Sequence, residues 1–402
     1  LEEVMRKVAI DFSSFAWRAL LAGTDHEGGK KINHEGKIVT VNSAEHGYEN
    51  ITNMLVALLK QLDLQPIDTI LVFEGMSSKS RRLYIDKSYK ANRESRPAEA
   101  YEQFTMLSER VASVWRSLGA TAMTQDHAEG DDTLAWLAQE YPHELVVATY
   151  DGDLTALNTE DGENNAYGGT CQVWIDGVLG INKFGGFPYK RVRIYKALVG
   201  DTSDGIKGVA GFGPAAFFSL VELIGWDGID ELEELLESGD LSALKELVDD
   251  TKTGKLIAKI VASADAVCSA WKLVKLRPEW VNTMVKPLQI VAGKVSTAPE
   301  HADFRLAHWY CDNHLITADN YDDAVETVRV LGAQSPFIAF DIETSTSEQS
   351  DDWLEACRSK SDKSDGVDTI GSSLTGFSLT FGRNMQNTIY VSVDHADTAN
   401  IT

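Results

Sequence analysis

Short apolar runs that end on a carboxylate recur along this chain, separated by stretches of helical periodicity. Arg6-Lys-Val-Ala-Ile-Asp11 reads as a short buried strand, and Ser13 and Ser14 lead into a helical stretch from Phe15 to Leu21. A polar, glycine-containing segment from Gly23 to Val41 reads as a hairpin or loop. Helical spacing resumes at Tyr48, Ile51, Leu55, Leu58, Leu59 and Leu62. Asp68-Thr-Ile-Leu-Val-Phe-Glu74 repeats the strand that ends in an acid, and Glu144-Leu-Val-Val-Ala-Thr-Tyr-Asp151 repeats it again, with Asp153 two residues on. Strands alternating with helices predict an α/β fold with a mainly parallel sheet, whose functional edge lies at the carboxyl ends of the strands. That edge would gather Asp11, Glu74, Asp151 and Asp153.

Two further acidic groups join this pattern. Glu129-Gly-Asp-Asp132 opens an amphipathic helix carrying Leu134, Trp136, Leu137 and Tyr141. A helix dipole favours acids in its first turn, so capping alone accounts for part of this group, but three acids in four residues exceed what a cap requires. Gly200-Asp-Thr-Ser-Asp204 would pass for an Asx-rich turn. It continues into Gly208-Val-Ala-Gly211-Phe-Gly213-Pro-Ala, a glycine-rich turn entering a helix through Phe217, Leu220, Val221 and Ile224. Such a turn can offer backbone N–H groups to one phosphate and carbonyls to a monovalent cation such as K⁺, although a plain helical connection would use the same glycines. The full acidic set is Asp11, Glu74, Glu129, Asp131, Asp132, Asp151, Asp153, Asp201 and Asp204. Carboxylates gathered in this way repel one another unless cations lie between them, which predicts bound divalent metal.

Composition narrows the partners. The 402 residues are 43% hydrophobic and 24% charged, enough to fill more than one core. No apolar run approaches the roughly 18 residues of a membrane span, so a soluble, cytoplasmic protein without a membrane partner is expected. Four cysteines, Cys171, Cys268, Cys311 and Cys357, form no metal-binding spacing and read as reduced thiols. A net charge of -24 opposes nucleic-acid binding in the aggregate. The basic residues nevertheless cluster, as Lys79, Arg81, Arg82, Lys87, Lys90, Arg93 and Arg96, and as Lys183, Lys190, Arg191, Arg193, Lys196 and Lys207. Each cluster could line a phosphate groove or be an ordinary solvated face.

Taken in order, these pieces resemble the 5′-nuclease, or flap endonuclease, family, most closely the N-terminal 5′→3′ exonuclease domain of family A DNA polymerases. Val8-Ala-Ile-Asp11 is similar to the family's opening strand and first metal ligand, and Tyr89-Lys-Ala-Asn-Arg93 to the basic motif of its helical arch. Ala128-Glu-Gly-Asp-Asp132 and Asp151-Gly-Asp-Leu154 resemble its central acidic motifs, and residues 200–214 its helix-three-turn-helix signature. Three departures stand out: Glu74 where the family usually has Asp, Ala215 and Ala216 where a lysine often follows Gly-Pro, and Gly205 and Lys207 for the common Asn and Pro. Ser335-Pro-Phe-Ile-Ala-Phe-Asp-Ile-Glu-Thr344 resembles the first motif of DEDD 3′→5′ proofreading exonucleases, with Asp341 and Glu343 as an incomplete second site. Thr375-Gly-Phe-Ser-Leu-Thr-Phe and Asn387-Thr-Ile-Tyr-Val-Ser-Val are similar to the next strands of that domain, and its remaining acidic motifs do not occur before Thr402.

The resemblance implies a PIN/FEN-like, mainly parallel sheet flanked by helices (residues 1–190) with an arch near 80–105. A helix-three-turn-helix subdomain follows (191–285), then a linker with a short helix over 319–331 (286–334) and a partial RNase H-like exonuclease piece (335–402). It further implies two divalent ions, Mg²⁺ or Mn²⁺. Asp11, Glu74, Asp131 and Asp132 would serve the first, with Glu129 acting directly or through water, and Asp151, Asp153, Asp201 and Asp204 the second. Lys90 and Arg93 would stabilise the scissile phosphate. Arg81 and Tyr84 would guide a 5′ strand, and Lys207, Gly208, Gly211 and Gly213 would hold duplex backbone. The expected activity is 5′→3′ exonuclease and flap cleavage on DNA with 5′ ends, flaps or nicks, in a parent polymerase of replication and repair. Removal of RNA primers and a non-catalytic DNA-binding module are the alternative readings.

Overall fold

The computed structural model describes residues 6–21, 29–92, 96–159, 163–180, 187–281 and 288–294, and beyond these 314–316, 329–330, 333, 338–346, 372–381 and 388–392. Two compact units divide the chain, one of residues 1–116 and 120–293, the other of 117–119 and 294–402.

The first unit begins with β1 (Lys7–Asp11), which runs directly into α1 (Phe12–Leu21). The helix starts three residues earlier than the apolar spacing suggests, because the Asp11 carboxylate accepts the Ser14 N–H at 3.3 Å as a cap would. The polar segment that follows forms a hairpin of β2 (Gly29–His34) and β3 (Lys37–Asn42), turned by Glu35 and Gly36 at φ 50° and 80°. Two positive φ values suit the twist of a two-residue hairpin. Then come α2 (Ala44–Leu62), β4 (Thr69–Glu74), α3 (Ser80–Ile85), α4 (Ala98–Ser117), β5 (Thr121–Gln125), α5 (Gly130–Glu140) and β6 (Leu145–Thr149). The unit closes with β7 (Cys171–Ile175), β8 (Val178–Leu179), α6 (Val192–Val199), α7 (Pro214–Ser238), α8 (Lys252–Ala262), α9 (Ala264–Val274) and β9 (Gln289–Val291).

These strands form one sheet in the order β8-β7-β6-β1-β4-β5-β9, parallel from β7 to β5 and antiparallel at both edges. Strand β6 is buried along its whole length, as a parallel strand covered on both faces must be. The chain moves outward from β1 through β4 to β5, then returns to lay β6 on the opposite side of β1. The order therefore reverses between β1 and β6, and the carboxyl ends of those strands flank a crevice suited to a ligand. One hydrophobic cluster runs from Ala9 and Val147 in the sheet, through Leu134 and Leu137 of α5, to Leu198, Phe217 and Trp271 of α6, α7 and α9. Residues 191–274 thus share a core with the sheet; they are not a separate compact unit. No helix among the described residues is long and apolar enough to cross a membrane.

The second unit holds β10 (His314–Ile316), β11 (Ile338–Thr346), β12 (Ser372–Phe381) and β13 (Thr388–Ser392), in the order β10-β13-β12-β11. Strand β12 pairs antiparallel with both neighbours, and β10 pairs parallel with β13. Strands therefore form where the sequence around Asp341, Phe377 and Tyr390 predicts them. Most of the expected helix over 319–331 lies outside the described residues, as do Cys311, Cys357 and Lys183.

Candidate active site

Asp11 leaves the end of β1 at the reversal point. Its Oδ2 accepts the Thr149 hydroxyl from the end of β6 at 2.7 Å, so the two strands that flank the crevice are tied together there. The Thr149 hydroxyl also accepts the Asp151 N–H at 2.9 Å, and Asp151 caps the next turn by accepting the Asp153 N–H at 2.9 Å. Desolvation pushes the Asp11 carboxyl above the ordinary range, and the Asp151 charge adds to it against the Thr149 and Ser14 hydrogen bonds. Asp131, in the first turn of α5, is pushed well above that range by burial and then by Asp11 and Asp151. None of these three carboxylates forms an ion pair among the described residues.

Glu74 reaches the same region from the end of β4, accepting the Gly130 N–H at 3.2 Å. Desolvation and then the Glu129 charge push it up to about 7. Part of the side chain is exposed, and solvent there screens this push. The longer side chain is thereby fixed to the amino end of α5.

The remaining acids are held by the protein's own cations. Arg82 of α3 is 2% exposed and grips Asp132 through two bonds of 2.8 Å. Asp132 also accepts the Arg277 N–H at 2.7 Å and the Glu129 N–H at 3.1 Å. Four donors occupy both oxygens of this fully buried carboxylate, so in this structure Asp132, expected as a metal ligand, anchors Arg82. A metal ion could reach it only by stripping a buried guanidinium of its partner. The reciprocal cap between Glu129 and Asp132 shows that the capping reading of this motif was partly right.

Glu129 accepts the Tyr89 hydroxyl at 2.9 Å and the Lys90 ammonium at 2.7 Å, and lies 3.0 Å from Arg82. Lys90 also stands 3.6 Å from Asp204, and its N–H donates to the Asp204 carbonyl at 2.7 Å. Its φ of 54° is unusual for a side-chain-bearing residue and is held by these bonds. The basic motif from Tyr89 thus lies in turns, at least to Asn92, and not on a helix; Arg93 falls outside the described residues. In this structure Lys90 faces Glu129.

Asp153, Asp201 and Asp204 bring ligand oxygens within 4.8 Å of one another. Lys196, in the last turn of α6, contacts Asp153 and lies 2.5 Å from Asp201. Desolvation outweighs Lys196 at Asp153 and pushes it up to about 6. At Asp201 burial pushes upward too, but Lys196 and Ser203 outweigh it and hold the carboxyl below the ordinary range.

Three arginines of the two basic clusters are paired within the protein. Arg82 is buried on Asp132, Arg191 pairs with Asp230 and Glu233, and Arg193 pairs with Glu237 while packing 3.3 Å over Trp271. Arg81 lies 5.2 Å from the Trp280 ring, and Tyr84 is 94% exposed, so packing does not account for that tyrosine. Lys207, Gly211 and Gly213 are exposed. Gly208 has a structural reason of its own, since a Cβ there would meet Gly200 N at 2.4 Å. The Gly211 carbonyl, expected to face a monovalent cation, accepts Lys259 Nζ at 3.1 Å. In the second unit Asp341 is exposed on β11, and Glu343 lies beside a bulge in the same strand. The sequence reading missed Thr149, Arg82 and Lys196 as site residues. The last two were visible only as members of basic runs.

Residues 6–173 match the 5′-3′ exonuclease, N-terminal resolvase-like domain family. Over those residues the chain is similar to the 5′→3′ exonucleases and flap endonucleases, a class of metal-dependent 5′-nucleases. It is 28% identical over 258 residues to a 5′-3′ exonuclease of Bacillus subtilis (strain 168), covering 60% of this chain and 82% of that protein. DNA polymerase I of Rhizobium leguminosarum is 27% identical over 235 residues, 56% of this chain but 21% of the polymerase. Flap endonuclease Xni of Vibrio cholerae serotype O1 (strain ATCC 39315 / El Tor Inaba N16961) is 26% identical over 216 residues, 50% of this chain and 77% of its own. This 5′-nuclease therefore spans most of the stand-alone relatives and about a fifth of the polymerase.

Proposed function

We propose that this chain hydrolyses DNA phosphodiesters as a 5′→3′ exonuclease and 5′-flap endonuclease, using two divalent ions. The observation that carries the reading is the mutual charge interaction of Asp11, Asp131 and Asp151 at the reversal point of a parallel sheet, with Glu74 bonded to the amino end of the helix that bears Asp131. The donor set fits the ions: oxygens only, which suits Mg²⁺ or Mn²⁺, with Asp11, Glu74 and Asp131 raised by burial first and by neighbouring carboxylates second. Asp11, Glu74 and Asp131 would hold one ion with Glu129 beside it, and Asp151, Asp153, Asp201 and Asp204 the other. When bound, such a pair supplies a nucleophile at neutral pH and neutralises charge on the leaving oxygen.

The chain's own residues do the rest. Thr149 fixes the orientation of Asp11, and Arg82 fixes α3 against α5 through Asp132. Lys90, with Arg93, is the electrostatic partner for the scissile phosphate, which requires its ammonium to exchange Glu129 for that phosphate. Tyr84 and Arg81 offer a stacking face and a charge to a single 5′ strand beneath an arch built between α3 and α4. Lys207 with the exposed Gly211 and Gly213 amides would contact duplex backbone, and a K⁺ ion there would exchange with Lys259. Membership of a larger polymerase is a further part of the reading, supported by the polymerase relative, and half of a 3′→5′ exonuclease site at Asp341 and Glu343 rests on the sequence resemblance alone.

A labelled 5′-flap duplex tests it. Magnesium-dependent release of the flap, abolished by chelator and greater than cleavage of an RNA–DNA hybrid, is the expected result. No cleavage of the flap with Mg²⁺ or Mn²⁺ would make this a DNA-binding module, and preference for the hybrid would make it a primer-removing nuclease.

A further inference from the structure

The Asp153, Asp201 and Asp204 triad already contains a cation. Lys196 Nζ contacts the Asp153 carboxylate and lies 2.5 Å from Asp201 Oδ2, and the lysine side chain is 11% exposed. Its main chain is fixed in the last turn of α6, where its carbonyl accepts the Gly200 N–H at 2.9 Å and ties the helix to the loop bearing Asp201. Asp201 is further fixed by the Ser203 N–H and hydroxyl at 2.9 and 2.6 Å. A second cation facing this triad is Lys90, 3.6 Å from Asp204 and bonded to Glu129. An ion binding these oxygens would sit about 2 Å from each. The same oxygens cannot serve Lys196 at its present distances, and the two positive charges would repel.

We propose that Lys196 is a positioning residue that reserves the second ion site: it neutralises Asp153 and Asp201 in the free enzyme and must swing away before a divalent ion can enter. Its four-carbon stem permits the movement, and its compact ammonium finds a new partner in a phosphate oxygen. The second ion is then weakly held by the free enzyme and more tightly held once DNA draws Lys196 outward, a reciprocal coupling between metal and substrate. The inference rests on the metal reading given above.

Calorimetric titration of Ca²⁺ into the DNA-free protein provides the test, with wild type, Lys196→Met, Lys196→Gln and, as a control for lost charge at an exposed site of the same region, Lys190→Met. Wild type and Lys190→Met should show one stronger and one weaker site. Both Lys196 variants should show the weaker site tightened by about tenfold or more, with two ions still bound. Adding nicked duplex DNA should tighten that site in wild type and have little effect in the Lys196 variants. Coincident isotherms for wild type and the Lys196 variants, or loss of an ion from those variants, would overturn the role of Lys196 while leaving the metal reading intact. Absence of binding in all four proteins would overturn both.

Discussion

The acids of the crevice fall into two populations. Asp11, Glu74, Asp131 and Asp151 have no ion-pair partner among the described residues, and Asp11 and Asp131 are raised by burial and then by neighbouring carboxylates. Glu129, Asp132, Asp153, Asp201 and Asp204 each face Arg82, Lys90 or Lys196. The first group is a standing cost to the fold and a standing demand for a cation. The second is already answered from within the chain, partly for stability at Asp132 and partly, we infer, as a reserved site. Two carboxylates adjacent in sequence, Asp131 and Asp132, fall on opposite sides of this division. Their consequences on substitution should therefore be opposite.

Asp131→Asn should lower flap cleavage by on the order of 10³-fold or more, as losing an electrostatic group aimed at the transition state does. The metal-free protein should become no less stable, because one of three repelling charges has gone; thermal unfolding in chelator checks this. A marked loss of stability with cleavage retained would erase the distinction. Asp132→Ala should instead unfold the protein more readily by about 3–5 kcal/mol, the cost of leaving Arg82 buried and unpaired. Chemical denaturation measures that loss, and a stability change near zero would show that Asp132 is no anchor.

A pH effect draws on both populations. Burial pushes the Glu74 carboxyl from an ordinary 4.5 up to about 7, less what solvent screens at its exposed part, and the Asp153 carboxyl from 3.8 up to about 6. The folded, metal-free protein therefore holds more protons than the unfolded chain across that interval. Stability from this source is present at the acidic end and is lost as pH rises to about 7. Relative to Glu74→Gln, the melting temperature of the metal-free wild type should fall between pH 5 and 8, and saturating Mg²⁺ should remove the difference. A rise over the same interval would contradict the sign. The smallest effect is expected at Tyr84→Ala, which should weaken binding of a 5′ single strand by roughly 1–3 kcal/mol, as lost stacking does, without changing metal affinity. Titration of a fluorescent 5′-flap in Ca²⁺ reads it out.

The two populations were unequally legible in the sequence. Asp11, Glu74 and Asp151 could be placed because an apolar strand ending in an acid announces both its burial and its exit point. The sheet order could not be read, yet the parallel strands and their shared edge followed from alternation alone. Arg82 was misread because a basic residue in a basic run looks solvated, and its partner Asp132 lies 50 residues away in sequence. Lys196 was hidden in the same way, since nothing in a helical stretch before Asp201 shows which side chain will turn toward the acids. The left-handed backbone at Lys90 had no local sign either, being imposed by Asp204 and Glu129 from two other segments.

Anomalous diffraction from crystals soaked in Mn²⁺ tests the central division most directly, because it locates ions without reference to activity. An ion bound by Asp11 and Asp131, with Arg82 still seated on Asp132, is the predicted result. No ion at Asp11 and Asp131, or an ion on Asp132 with Arg82 displaced, would contradict it.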